Sequence, residues 1–274
     1  MYLDFYGLKE NPFNGTSDPS FLYLSRPHKE ALSHLLYGIN AKKGFLEITG
    51  EVGAGKTTLC KALLNQLGDD AKTAFILNPN LSELQLLEMI VEDFGIRPER
   101  RSKVSLLRQL NRFLLEELRK RSTVVLILDE AQDLKNSTLE AVRLLSNLET
   151  DKEKLFQIVL VGQPELRDKL KSPSLLQVSQ RIGVRFHISP LQAEETEKYV
   201  YHRLKIAGSD SDIYFTKEAL DKIFEFSKGI PRLINLLCDK ALLLGFVLGV
   251  KNIDGEIVDK SIFEIEGVPQ EVRI

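Results

Sequence analysis

A chain of 274 residues, 43% hydrophobic and 28% charged, has the balance of an ordinary globular protein with room for one large domain or a core domain plus a small one. Its formal net charge of −2 supplies no global basic field for nucleic acid, and its opening residues carry acids without the apolar core of a secretory signal. The longest apolar run, ten residues from Ala241 to Val250, falls short of the roughly 20 that a membrane-spanning helix needs, so a soluble chain is expected. Cys60 and Cys238 each sit inside a helical pattern and read as buried free thiols, while His28, His34, His187 and His202 show no metal-ligand spacing.

Six aromatics fall within the first 23 residues (Tyr2, Phe5, Tyr6, Phe13, Phe21 and Tyr23), which predicts a segment packed onto a core. A helix is expected over Lys29–Ile39, a buried strand over Gly44–Thr49 and a helix over Lys56–Leu67 ended by Gly68. A strand over Lys72–Leu77 ends at Asn78-Pro79-Asn80. Ser82 and Gln85 then form a capping box for a helix whose Leu84, Leu87, Val91 and Phe94 share a face. A longer helix over Val104–Arg121 aligns Leu107, Leu110, Leu114 and Leu118, and the aliphatic run Val124–Leu128 reads as a central parallel strand buried on both faces. The alternation continues with a helix over Ser137–Leu148, a strand over Phe156–Val161, short helices to Gln180 and a strand over Arg185–Ile188. Strands alternating with helices imply right-handed βαβ units and a parallel sheet. Beyond Ser189-Pro190 only helices are expected, over Ala193–Ala207, Lys217–Ser227, Pro231–Leu248 and Gly255–Glu264. The domains so predicted are an α/β nucleotide-binding core over 1–190 that includes the aromatic segment, a helical lid over 191–266 and a tail over 267–274.

The stretch Gly50-Glu51-Val52-Gly53-Ala54-Gly55-Lys56-Thr57 fits the Walker A pattern, between a predicted strand and a predicted helix. Glycines let backbone N–H groups wrap phosphates, and the helix N-terminus adds its dipole. Gly50, Gly53, Ala54, Gly55, Lys56, Thr57 and Thr58 are therefore the expected cradle of ATP, with Lys56 on the β- and γ-phosphates and the Thr57 hydroxyl on Mg²⁺. Such a loop needs a second acid for the metal. Val124–Leu128 runs into Asp129, the expected metal acid, and Glu130, the expected base for the attacking water.

This acid pair points to the ATPase branch with an extra strand between the two motif strands. Gln163, just beyond the strand Phe156–Val161, is placed for a polar sensor of the γ-phosphate or water; a turn residue before Pro164 is the plainer alternative. Arg181 is the candidate arginine finger reaching a neighbour's ATP, with Arg185 its competitor and a surface arginine the bland reading. Arg232, at the start of a lid helix, fits a second sensor that closes the lid over the nucleotide. Asn78 could restrain Glu130 until a partner binds, though a turn asparagine serves equally well.

Together these residues resemble the AAA+ superfamily and, within it, the ATPase domain of the general secretion pathway protein A family with its exosortase-associated relatives. The matching segments are Phe5-Tyr6-Gly7-Leu8, Asn11-Pro12-Phe13, Phe21-Leu22-Tyr23-Leu24, the Walker A stretch and Leu126 through Gln132. Val161 through Leu166, Gln180-Arg181-Ile182 and Gly229 through Asn235 match as well. The resemblance implies a sheet order of 5-1-4-3-2, a helical lid, and an adenine pocket lined partly by the N-terminal segment. It implies self-association, hydrolysis of Mg-ATP, and a secretion or envelope protein as partner. Members of the family continue into a membrane span and a periplasmic part; a cytoplasmic protein is expected, held at the inner face of the membrane where partners or such an extension bring it there. The second reading is a DNA-binding transposition helper, which shares the core. The stretch Glu149–Lys154 looks more like the secretion branch, and the basic clusters (Arg97, Arg100, Arg101, Lys103; Arg119, Lys120, Arg121) read as solvated surface, so no strong DNA binding is expected.

Overall fold

The computed structural model describes residues 2–68, 70–77, 81–149, 154–209 and 213–267. By their internal contacts these form two units: Arg26–Glu51 with Leu59–Ile188, and Met1–Ser25 with Val52–Thr58 and Ser189–Ile274.

A short helix, Tyr2–Tyr6 (α1), belongs to the second unit. The first unit follows with helix Arg26–Asn40 (α2), strand Phe45–Gly50 (β1), helix Lys56–Leu67 (α3) and strand Ala71–Ile76 (β2). Helices Glu83–Asp93 (α4) and Lys103–Arg119 (α5) precede strand Thr123–Leu128 (β3), and helix Asn136–Leu145 (α6) precedes strand Phe156–Gly162 (β4). Helices Pro164–Leu170 (α7) and Leu176–Arg181 (α8) lead to strand Ile182–Ile188 (β5). The sheet is parallel throughout in the order β2-β3-β4-β1-β5, the expected 5-1-4-3-2 read from its other edge. Burial follows this order. Every residue of β1 and β4 is buried, whereas the edge strands β2 and β5 are buried only at scattered positions. Because the strands are parallel, β1, β3 and β4 all end at one edge of the sheet, and the motif residues leave from that edge.

Local chemistry sets the element ends. The Ser82–Gln85 capping box is present at the start of α4. Its buried stripe is Leu86, Leu87, Ile90 and Val91, and Leu84, expected on that face, is exposed. At 3.6 residues per turn, Leu84 lies about a quarter-turn from the centre of the stripe. α6 stops at Leu145, where the Ser146 hydroxyl donates to the Arg143 carbonyl at 2.7 Å and competes with the next helical bond. β5 begins at Ile182, three residues before the expected start, because Ile182 already pairs with Phe45 of β1. Arg185 is thus inside the strand and Arg181 is the last residue of α8.

The second unit contains helices Ala193–Ile206 (α9), Lys217–Ser227 (α10), Pro231–Leu248 (α11) and Gly255–Glu266 (α12). It also contains a parallel pair of two-residue strands, Tyr214–Phe215 (β6) and Asn252–Ile253 (β7), where the sequence had indicated helices alone. Two residues are too few to show a strand period, although Phe215 and Ile253 are buried.

The aromatic N-terminal segment, expected with the α/β core, packs instead on these helices. Tyr2 donates to Asp239 Oδ1 at 2.6 Å, Asn11 donates to the same oxygen at 3.1 Å, and the Tyr6 hydroxyl donates to the Leu242 carbonyl at 3.0 Å. Arg203, 6% exposed on α9, holds the segment from below: Nε donates to the Pro12 carbonyl, Nη2 to the Asn14 carbonyl at 3.1 Å, and the guanidinium lies 4.7 Å from the Phe21 ring centroid.

Candidate functional site

The Walker A stretch leaves the end of β1 and enters α3 at Lys56. Gly53 and Gly55 have φ of +79° and +89°, the left-handed region that side-chain-bearing residues rarely occupy. Two such residues in three turn the chain sharply, just before a 12-residue helix whose first-turn N–H groups lack intrahelical acceptors. Ala54 and Lys56 are buried, and Thr57 and Thr58 are half-buried. The Arg232 backbone N–H donates to the Gly53 carbonyl at 3.2 Å, joining this loop to the first turn of α11. Gly53 also abuts the Arg232 side chain so closely that an added Cβ would overlap the Cβ of Arg232.

At the end of β3, the Asp129 N–H donates to the Ile76 carbonyl at 3.0 Å and prolongs the ladder with β2 by one bond. Asp129 is 1% exposed, and its Oδ1 accepts the Glu130 N–H at 3.0 Å. Glu130 adopts φ 52°, ψ 40°, a left-handed conformation that costs a non-glycine residue about 1–2 kcal/mol. That turn carries Glu130 out of the strand direction into the helical turn Ala131–Asp133. Its Oε2 accepts from Gln132 Nε2 at 2.7 Å and from Gln163 Nε2 at 3.2 Å. Gln163 leaves the end of β4, the strand between β1 and β3, so its amide reaches the Glu130 carboxylate. Asn78, the candidate for restraining Glu130, lies outside the described residues, as does most of the 149–154 stretch.

The two candidate finger arginines have different surroundings. Arg185 Nε lies 3.0 Å from Glu47 Oε2, and its Nη2 donates to the Ser179 carbonyl at 2.6 Å and to the Ser179 hydroxyl at 2.7 Å. Burial pushes the Glu47 carboxyl above the usual carboxylate value, and Arg185, then Arg167 and Lys171, pull it back. Arg185 thus serves as counter-ion to a buried acid in the middle of β1. Among the described residues, Arg181 Nη1 donates to Ser146 Oγ at 2.9 Å.

Sequence reasoning assigned no role to Gln132, Glu47 or Arg203. The signal for Glu47 was present: an acid within a strand read as buried requires a counter-ion. Arg203 gave no comparable signal, because Pro12 and Asn14 are far away in sequence, and the bond from Gln132 to nearby Glu130 depends on the left-handed turn between β3 and the 131–133 helix.

Residues 39–170 match the family described as AAA domain. The whole fold is similar to the Aeropyrum pernix ORC2 protein in its ADPNP–ADP complexes, with a TM-score of 0.70 and 17% identity over 93% of this chain and 72% of that one. It is also similar to the Thermotoga maritima RuvB Holliday junction branch migration motor, with a TM-score of 0.58 and 20% identity over 90% of this chain and 71% of that one. At such identities these likenesses speak to fold alone, and the fold is that of the AAA+ P-loop proteins. General secretion pathway protein A of Aeromonas hydrophila is 44% identical over 272 residues, 99% of this chain and 50% of that protein. The chain belongs to the AAA+ ATPases of the secretion pathway protein A family, and it spans half the length of that relative. No helix among the described residues is long and apolar enough to cross a membrane.

Proposed function

We propose that the protein binds Mg-ATP at the 50–58 loop, hydrolyses it, and uses the cycle to assemble or remodel secretion or envelope machinery. The observation that carries the reading is the loop itself: two left-handed glycines leave a buried parallel strand and deliver Lys56 and Thr57 at the start of α3. Gly50, Gly53, Ala54, Gly55, Lys56, Thr57 and Thr58 hold the phosphates, with Lys56 as their cation. The Thr57 hydroxyl and the Asp129 carboxylate would hold Mg²⁺, which would supply charge neutralisation on the phosphate oxygens. Glu130 takes the proton of the attacking water, and Arg232 reports the nucleotide state to α11. Arg181, not committed to a buried acid as Arg185 is, acts on the ATP of a neighbouring copy. The relative's name supports a role in secretion, and the role we assign is that of a cytoplasmic oligomer acting on a secretion or envelope protein.

A transposition helper is the less supported reading, since several of the basic residues around α4 and α5 are already paired with acids. Arg101 lies 2.5 Å from Glu88, Lys120 2.6 Å from Glu117 and Arg112 3.7 Å from Glu99, and Lys103 pairs with Glu83.

Equilibrium ATP binding and phosphate release on two variants test the chemistry. Lys56→Ala should lose tight ATP binding. Glu130→Gln should bind ATP as the wild type does and lose about 10²–10⁴ in turnover, the usual contribution of a general base. Undiminished turnover in Glu130→Gln would refute the assigned role.

A further inference from the structure

We propose that Gln132 is the positioning residue for the Glu130 carboxylate, a role that rests on the reading of Glu130 as the base. Its side-chain amide is used at both ends. Nε2 donates to Glu130 Oε2 at 2.7 Å, and Oε1 accepts the Gln163 backbone N–H at 3.1 Å. The Gln163 side chain completes a ring by donating to the same Glu130 oxygen at 3.2 Å. The orientation of the Gln132 amide follows from chemistry: a carboxylate only accepts and a backbone N–H only donates, so one arrangement satisfies both.

The support beneath Gln132 is specific as well. Lys169 Nζ donates to the carbonyl of Gln132 at 2.9 Å and to that of Leu134, tying down the turn that carries the amide. On the other side, Gly162 ends β4 directly against it. A Cβ at residue 162 would lie 2.7 Å from Gln132 Oε1 and 2.9 Å from the Leu166 side chain. The amide therefore fits between β4 and the 131–133 turn only because residue 162 has no side chain.

Among the described residues both amide donors converge on Oε2 of Glu130, so Oε1 is the oxygen that takes a proton from water. A carboxylate on two rotatable bonds beyond Cβ, launched from a left-handed backbone residue, has many orientations. Gln132 and Gln163 select one before ATP arrives, which is the preorganisation a general base needs. Gln132 itself touches neither water nor phosphate in this scheme.

The test is a double-mutant cycle on the single-turnover rate constant with radiolabelled ATP, followed for hours so that slow variants are measured. Gln132→Met keeps the volume and removes both hydrogen bonds. It should lower the rate constant about 10- to 100-fold, as expected for a reacting group displaced by the order of 1 Å, with ATP affinity unchanged. In a Glu130→Ala background, where there is no carboxylate to orient, the same substitution should cost less than about threefold. Gly162→Ala pushes the amide aside while leaving Gln132 in place, and should reproduce the loss in the wild-type background only. Equal losses in both backgrounds, a wild-type rate in Gln132→Met, or a faster one, each overturn the proposal. The underlying reading fails separately: Glu130→Ala turning over at the wild-type rate removes the base, whereas a slow Glu130→Ala with additive Gln132→Met removes only the positioning role.

Discussion

The backbone N–H of Arg232 is bonded to the carbonyl of Gly53 at 3.2 Å, so a main-chain bond anchors the first turn of α11 to the glycine loop, with the Arg232 side chain packed beside it. Backbone and guanidinium can therefore be separated by mutation. Gly53→Ala must strain a φ of +79° and place a Cβ against the Cβ of Arg232. It should destabilise the protein by at least about 1–2 kcal/mol and weaken ATP binding tenfold or more, on the order expected for a blocked left-handed position. Arg232→Ala keeps the backbone bond, should stay within about 0.5 kcal/mol of wild-type stability, and should lose turnover. Thermal unfolding and nucleotide titration on both variants check this. Equal destabilisation by the two would show that the side chain, and not the main chain, makes the junction.

The strands and the parallel sheet were legible because they rest on patterns that survive in one dimension, whereas the strand order was implied by the family resemblance alone. The aliphatic run before Asp129, the glycine spacing before Lys56 and the Ser82–Gln85 box are each local in sequence. What was not legible was mostly long-range. Tyr2 and Asn11 meet Asp239 across more than two hundred residues, and nothing in an aromatic-rich segment says which surface it will cover. The same holds for Gln163. Its place after β4 was readable, but the bond from its amide to Glu130 depends on β4 lying beside β3 and on the left-handed turn at Glu130. The β6–β7 pair is invisible for the opposite reason, since each strand is too short to have a period.

His202 gives a pH prediction for the second unit. Burial first, and the neighbouring Arg203 second, hold its imidazole below the usual value, against a hydrogen bond to the Leu22 backbone that favours the charged form. The folded protein therefore binds the His202 proton less readily than the unfolded chain, which takes it up at about pH 6.5. Stability contributed by the neutral ring is complete above that value and is lost as pH falls through it towards the lower folded value. Melting temperature should drop more between about pH 7.5 and pH 5.5 in the wild type than in His202→Asn, which retains a donor towards Leu22 but does not titrate. Parallel pH profiles would remove His202 from the acid sensitivity of the fold.

Arg181 and Arg185 lie four residues apart, and their substitutions should fail in different ways. Arg185→Ala strands the Glu47 carboxylate, 4% exposed in the middle of β1, without its nearest cation. The cost should be about 1–3 kcal/mol, discounted because Arg185 itself is half exposed, and it should show as a lower melting temperature. Among the described residues Arg181→Ala gives up the bond to Ser146, and it should melt close to the wild type. If Arg181 acts on a neighbour's ATP, turnover in Arg181→Ala should fall by about 10³ or more with ATP binding intact. Wild-type specific activity should then rise with protein concentration. Mixing Arg181→Ala with Lys56→Ala should restore activity, because the first still binds ATP and the second still carries the finger. A mixture as inactive as its parts, together with specific activity independent of concentration, would assign Arg181 to its own chain or to the surface.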